Sequence, residues 1–156
     1  MLCLIDMQRT TARTVAMKMG IKPGSRAFFC NAPHSALMAM QLPNLELVYE
    51  LMGSFDYLHL FISTRAEFIL HFPLLKTHLN EKGKLWVSWP KNKQLGTDLS
   101  LGKVIDLGYS FGLVESTCLS INETWSALKF THPIPGKSYQ NSFGELYRPL
   151  GEHPRD

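Results

Sequence analysis

The sequence predicts a three-layer α/β domain in which a mostly parallel sheet is flanked by helices and closed by a C-terminal antiparallel hairpin. Three observations lead there. Apolar runs such as RAFFC at 26–30 and DYLHLFI at 56–62 show little polar alternation, as strands buried on both faces do. Segments with helical spacing lie between such runs, the pattern of parallel crossovers. Residues 113–121 and 125–130 are joined by Asn122-Glu123-Thr124 alone, a link that suits only a hairpin and makes the last strand antiparallel.

Taken in order, residues 11–19 read as a short helix stopped by Gly20, with Pro23 and Gly24 turning the chain into the strand at 26–30. Asn31-Ala32-Pro33 ends that strand, and Ser35 is placed to cap a helix running to Met40. Residues 45–49 form a weaker, alternating strand. Six residues separate it from the strand at 56–62, too few for an ordinary parallel crossover, so it is either a short edge element or its connection is unusually extended. Helical spacing returns at 64–79, where Pro73 is expected to kink or split the helix. Lys82-Gly83-Lys84 is expected to turn into the strand at 85–89, which Pro90 ends before a polar loop to Thr97. Asp98 is placed to cap a helix over 99–111, stopped by Gly112. From residue 133 the chain is rich in Pro, Gly and polar residues without periodicity, so the expected organisation is one domain over 1–132 and a tail over 133–156, disordered or docked on a neighbour.

A chain of 156 residues is long enough for one domain with a normal core. Hydrophobic residues make up 45% and charged residues 19%, which excludes the disordered and fibrous classes. A net charge of +3 is too small to indicate a nucleic-acid surface. No apolar run reaches the ~18 residues of a membrane-spanning helix. The N-terminal charges follow the apolar residues, the reverse of a secretory signal, so the expected location is cytoplasmic. Cys3, Cys30 and Cys118 form no Cys-x-x-Cys pair and are expected to be inert core thiols.

Several phrases then carry a resemblance. IKPGSRAFFCN, SFDYLHLFIS, LLKTHLNEKGKLWVSWPK and GLVESTCLSINETWSALKF resemble the first strand, fourth strand, fourth helix with fifth strand, and closing pair of the Rossmann-like methyltransferases. More narrowly, NAP, FDYLHLF, LWVSWPK, TDL and NETWSALKF resemble the bacterial family called domain of unknown function 3052, over roughly residues 16–131. The resemblance implies a reduced methyltransferase-like fold and, through the wider family, S-adenosylmethionine, with Glu50 at the position of the acid that holds ribose hydroxyls. One departure argues against that cofactor. Methyltransferases keep a glycine-rich turn after the first strand, where the cofactor packs on backbone, whereas this turn reads Asn31-Ala32-Pro33-His34-Ser35. No cofactor and no metal are therefore expected.

In open α/β sheets ligands bind beyond the carboxyl ends of the strands. That edge should gather Asn31, His34 and Ser35, then Ser63, Thr64 and Arg65, then Lys91, Lys93, Thr97 and Asp98, with Asn122 and Glu123 from the hairpin. Hydroxyls with Arg65 and Lys91 suit an anionic small molecule, although both cations could instead be solvated or paired with Asp98 and Glu123. His34 could serve as a base, but no carboxylate in the sequence orients it, so a role at the helix start is preferred. His59, inside an apolar strand, reads as a hydrogen-bonded core histidine, and Asp56 as a turn or capping residue. His71 and His78 straddle Pro73 and make a doubtful metal pair. Trp86, Trp89 and Trp125 fill the core, or the latter two wall the cleft. The expectation is a non-catalytic or weakly catalytic binding domain for an anionic ligand or a partner segment. The rivals are a divergent methyltransferase with His34, Lys91 and Asp98 around its substrate, and an assembly protein whose tail aromatics Tyr139, Phe143 and Tyr147 make a homo-oligomer contact.

Overall fold

The computed structural model describes residues 13–151. Its main sheet has six strands: β1 (Arg26–Cys30), β2 (Glu46–Leu47), β3 (Phe55–Phe61), β4 (Leu79–Pro90), β5 (Val114–Ser120) and β6 (Trp125–Thr131), in the order β2-β1-β3-β4-β6-β5. β2, β1, β3 and β4 are mutually parallel, and β6 is inserted antiparallel between β4 and β5. Helices α1 (Val15–Met19) and α2 (His34–Met40) precede and follow β1, while α3 (Arg65–Lys76) and α4 (Leu101–Ser110) follow β3 and β4.

The alternation of side chains along the strands builds two cores. Leu58, Leu60, Leu85 and Val87 pack with Phe68, Phe72 and Leu75 of α3 and Val104 and Leu107 of α4. Tyr57, Phe61, Trp86, Trp125 and Ala127 pack on the other face with Met19, Ala36 and Met40. Trp89 belongs to the first core and is 4% exposed. The central place expected for the strand at 56–62 is observed, since β3 lies between β1 and β4.

Of the two arrangements open at Pro73, one helix or two, the structure has one, α3, with the proline in its last turns and Phe68 stacked on Phe72 with centroids 4.5 Å apart. Three local expectations are corrected. Ser35 does not cap α2; the residue at the N-cap is Pro33, without a side-chain bond, and Ser35 is exposed inside the helix. Asp98 does not cap α4 either, a task that falls to Ser100, whose hydroxyl accepts from Lys103 N. Lys82-Gly83-Lys84 is strand, not turn, because β4 starts at Leu79 and carries a bulge opposite Phe55 and Tyr57. Gly83 serves close backbone approach there: a Cβ would lie 2.8 Å from the carbonyl oxygen of Phe55.

The strand expected at 45–49 shrinks to the two-residue β2, parallel to β1 at the sheet edge, and the chain returns to β3 without a helix. The first residues of the expected 11–19 helix, and Cys3, lie outside the described residues. Cys30 is half-buried and Cys118 exposed, so neither is the fully enclosed thiol expected from the apolar runs. Residues read as a tail form a second, two-stranded sheet, β7 (Ser138–Asn141) with β8 (Gly144–Tyr147). It is tied to its own chain: Arg148 pairs with Glu81 of β4 at 2.7 Å, Asn141 bonds Glu115 at 3.4 Å, and Phe143 lies against Gly102. Among the described residues no helix is long and apolar enough to cross a membrane.

Candidate functional site

The carboxyl edge of the sheet begins at the end of β1. Asn31 takes the left-handed conformation, φ 59°, that a glycine favours and that Asn adopts more readily than most other residues. Ala32 and Pro33 follow, Pro33 at φ −68° and ψ 144°, and α2 starts at His34. Beside this turn lies a pocket of about 520 Å³ between β1, β2 and α2. Phe28, Phe29, Leu37, Leu42 and Val48 form most of its wall, with Asn31 and Tyr49 at its rim. None of its lining residues carries a charge.

The next loops are laced to one another by residues expected to meet a ligand. Thr64 caps α3, its hydroxyl accepting from Glu67 N at 3.1 Å while Glu67 Oε1 accepts from Ser63 N at 3.0 Å and Thr64 N at 3.1 Å. Those bonds, the Ser63 amide first, hold the Glu67 carboxyl below its ordinary range. Thr97 donates to the carbonyl of Ser63 at 2.5 Å and accepts from Leu99 N at 3.1 Å. Asp98 accepts from Arg65 N at 2.8 Å, and Arg65 and Asp98 border a shallow depression with Ile69 and Leu70 on α3. The 3-10 segment Lys91–Gly96 is irregular, with Asn92, Lys93 and Leu95 at positive φ.

On the hairpin side, Lys91 Nζ donates to Ser120 Oγ, and Gln94 Nε2 donates to the carbonyl of Glu123 at 3.1 Å. Asn122 Oδ1 accepts from Thr124 N and Trp125 N at 2.9 Å, shaping the turn. His34, Ser35 and Glu123 are exposed. Asn31 thus reaches one pocket, Arg65 and Asp98 another surface, and Lys91 a third place. Among the described residues these side chains do not converge on one centre. No group of three His, Cys, Asp or Glu that could hold a metal occurs among the described residues.

Sequence reasoning found His59 but not its partners. The ring is fully buried, Tyr57 OH lies 2.5 Å from Nδ1, and Ser88 Oγ lies 2.7 Å from Nε2. Burial drives its pKa down to about 3, so the imidazole is neutral at physiological pH. The Tyr57 and His59 spacing, two residues apart on one strand face, was a visible signal; Ser88 is brought in by the parallel register that sets Phe61 against it. Asp56 is neither a turn nor a capping residue: inside β3 its carboxylate accepts from Arg26 N at 2.9 Å and Asn80 Nδ2 at 2.8 Å, tying β1 and β4 to it.

No family model matches the sequence, and no curated protein matches it. Solved structures do. A methyltransferase from Pyrococcus furiosus superposes with a TM-score of 0.53 at 18% identity, over 77% of this chain and 81% of that one. A TehB-like S-adenosylmethionine-dependent methyltransferase from Corynebacterium glutamicum gives 0.52 at 8% identity, over 85% and 95%. Precorrin-6y C5,15-methyltransferase from Geobacter metallireducens gives 0.53 at 8% identity, over 76% and 86%. The chain therefore has the methyltransferase-like Rossmann fold, the fold class its element order predicts.

The fold implies S-adenosylmethionine, and the turn after β1 tests whether this chain suits it. The backbone at Asn31 is glycine-like, but Asn31 and Ala32 fill the turn with Cβ atoms and Pro33 withholds an amide. Glu50, the acid the resemblance points to, is exposed beyond Tyr49 and does not line the pocket.

Proposed function

We propose that this chain is a ligand-binding domain of methyltransferase-like fold, non-catalytic or weakly catalytic, whose site is the pocket beside the β1 turn. The observation that carries the reading is the lining of that pocket: aromatic and aliphatic walls with Asn31 as a polar rim, next to a turn closed by Ala32 and Pro33. A planar, largely apolar body suits it. Arg65 and Lys91, which favour an anion on chemical grounds, lie outside the lining, so a charged ligand would meet them only beyond the pocket mouth. The phrase-level likeness to domain of unknown function 3052 brings no activity with it.

A second reading, a divergent S-adenosylmethionine-dependent methyltransferase, is favoured by the structural neighbours named above. Isothermal calorimetry with S-adenosylmethionine and with adenosine separates the two. Heat from adenosine with none from S-adenosylmethionine supports the binding domain. Micromolar binding of S-adenosylmethionine would overturn it in favour of the enzyme.

A further inference from the structure

A second pocket, about 340 Å³, opens at the opposite, amino edge of the sheet. The loop over 19–25, between α1 and β1, forms one wall, and Asp56, Tyr57, Lys82, Lys84 and Trp86 form the other. It is separate in residues and position from the β1-turn pocket.

Its charge is uncompensated. Three lysines, Lys22, Lys82 and Lys84, line it against the single Asp56. Both Asp56 oxygens already accept hydrogen bonds, from Arg26 N and from Asn80. Among the described residues the ion pairs are Arg26 with Glu46 and Arg148 with Glu81, so these lysines have no carboxylate partner there. Lys129, on the paired position of β6, sets its Nζ 6.0 Å from the Trp86 ring centroid. Burial first, and then the neighbouring Lys84, hold its pKa below the ordinary lysine value.

Trp86 also lines the pocket. Trp86 is fully buried, and its Nε1–H has no hydrogen-bond partner. Such an orphan donor in a core calls for an acceptor. Tyr57 cannot supply one freely, because its hydroxyl is engaged with His59. Three lysine ammonium groups lining one pocket suit a compact anion with several acceptor oxygens.

We propose that this amino-edge pocket binds a small phosphorylated molecule, with its phosphoryl group held by Lys82 and Lys84 above Trp86. The ligand is either free diphosphate or a phosphate ester, and both share the group the pocket recognises.

The test is a fluorescence titration of the full chain at low salt with inorganic pyrophosphate and, separately, with adenosine monophosphate, citrate being the carboxylate control. Trp86 lies at the site, so binding should change indole emission saturably. Lys82→Ala and Lys84→Ala, both at partly or fully exposed positions, should each weaken binding by about tenfold, the scale of one charge-assisted bond. Lys91→Ala, at the carboxyl edge, should leave it unchanged. Tighter pyrophosphate identifies free diphosphate, and tighter adenosine monophosphate identifies an ester. Three results overturn the proposal: no saturable change at millimolar ligand, an unchanged Kd in both amino-edge lysine variants whose melting matches the parent, or citrate binding as tightly as either phosphate.

Discussion

Asp98 Oδ1 accepts the backbone N–H of Arg65 at 2.8 Å, so the loop after β4 supplies an acceptor to the first turn of the helix after β3. The first amides of a helix have no intrahelical partner, and a carboxylate there also meets the positive end of the helix dipole. Asp98→Ala should therefore destabilise the chain by about 1 kcal/mol, and Asp98→Asn, which keeps an acceptor, by less than half of that. Urea melts with an unchanged m-value check it; equal stability of Asp98→Ala and parent would remove Asp98 from the cap.

His59 makes stability depend on pH. Its folded pKa of about 3 lies below the unfolded value near 6.5, so the unfolded chain binds the extra proton and stability falls as pH drops through that window. Between pH 7 and pH 5 the loss should be roughly 2 kcal/mol from this group. His132, also pushed down by burial, adds in the same direction, whereas Glu67 acts only at lower pH, where its carboxyl starts to protonate. His59→Gln keeps polar contacts and should flatten the slope in chemical melts across that range. An unchanged slope would mean that the imidazole is charged in the fold.

Gly108 of α4 faces Phe130 so closely that an added Cβ would enter its ring. Phe130 cannot retreat, being fully buried with its ring edge-on to Phe72 at 5.3 Å. Alanine would gain about 1 kcal/mol in helix propensity but lose about 2–3 kcal/mol to overpacking. Gly108→Ala should thus lower the melting temperature. A rise would show that α4 can shift away from the sheet.

The turn after β1 can be reopened. Asn31 stands at φ 59°, where glycine is at ease, so Asn31→Gly with Ala32→Gly should fold with little change in stability. If Cβ atoms obstruct S-adenosylmethionine, calorimetry should find its affinity raised by about tenfold in the double variant. No gain would shift the obstacle to Pro33 or to the missing acid.

Arg148 anchors the C-terminal hairpin, bonding Glu81 at 2.7 Å and the carbonyl of Pro133 at 3.2 Å from a position only 8% exposed. Truncation after His132 uncovers the β4 and α4 surfaces it rests on and should lower the melting temperature. Size-exclusion chromatography of the same variant tests the assembly idea: Phe143 and Tyr147 remain largely exposed, and an unchanged oligomeric state would discard them as a contact.

Legibility followed the range of the interactions. Strand β1, the centre of β3 and the closing hairpin were readable because apolar runs and a three-residue link are local signals. Gly83 misled because tertiary pairing overrode its usual punctuation: a bulge absorbed a glycine that reads as a turn. Asp98 was seen as a cap, but of the wrong helix, since its true partner is 33 residues away in sequence. Which of the edge residues share a pocket depends on loop paths that no spacing encodes. The lysines around Trp86 were invisible as a group, because it takes the β4–β6 register to bring Lys129 beside Lys84.

The shortness of β2 has a consequence for behaviour in a crowded solution. A sheet margin normally offers a row of unsatisfied amides on which a foreign strand can template. Here that margin is two residues long, with Glu46 carrying a charge outward and bonded to Arg26 at 3.5 Å. That edge of the sheet is thereby guarded against fibrous self-addition.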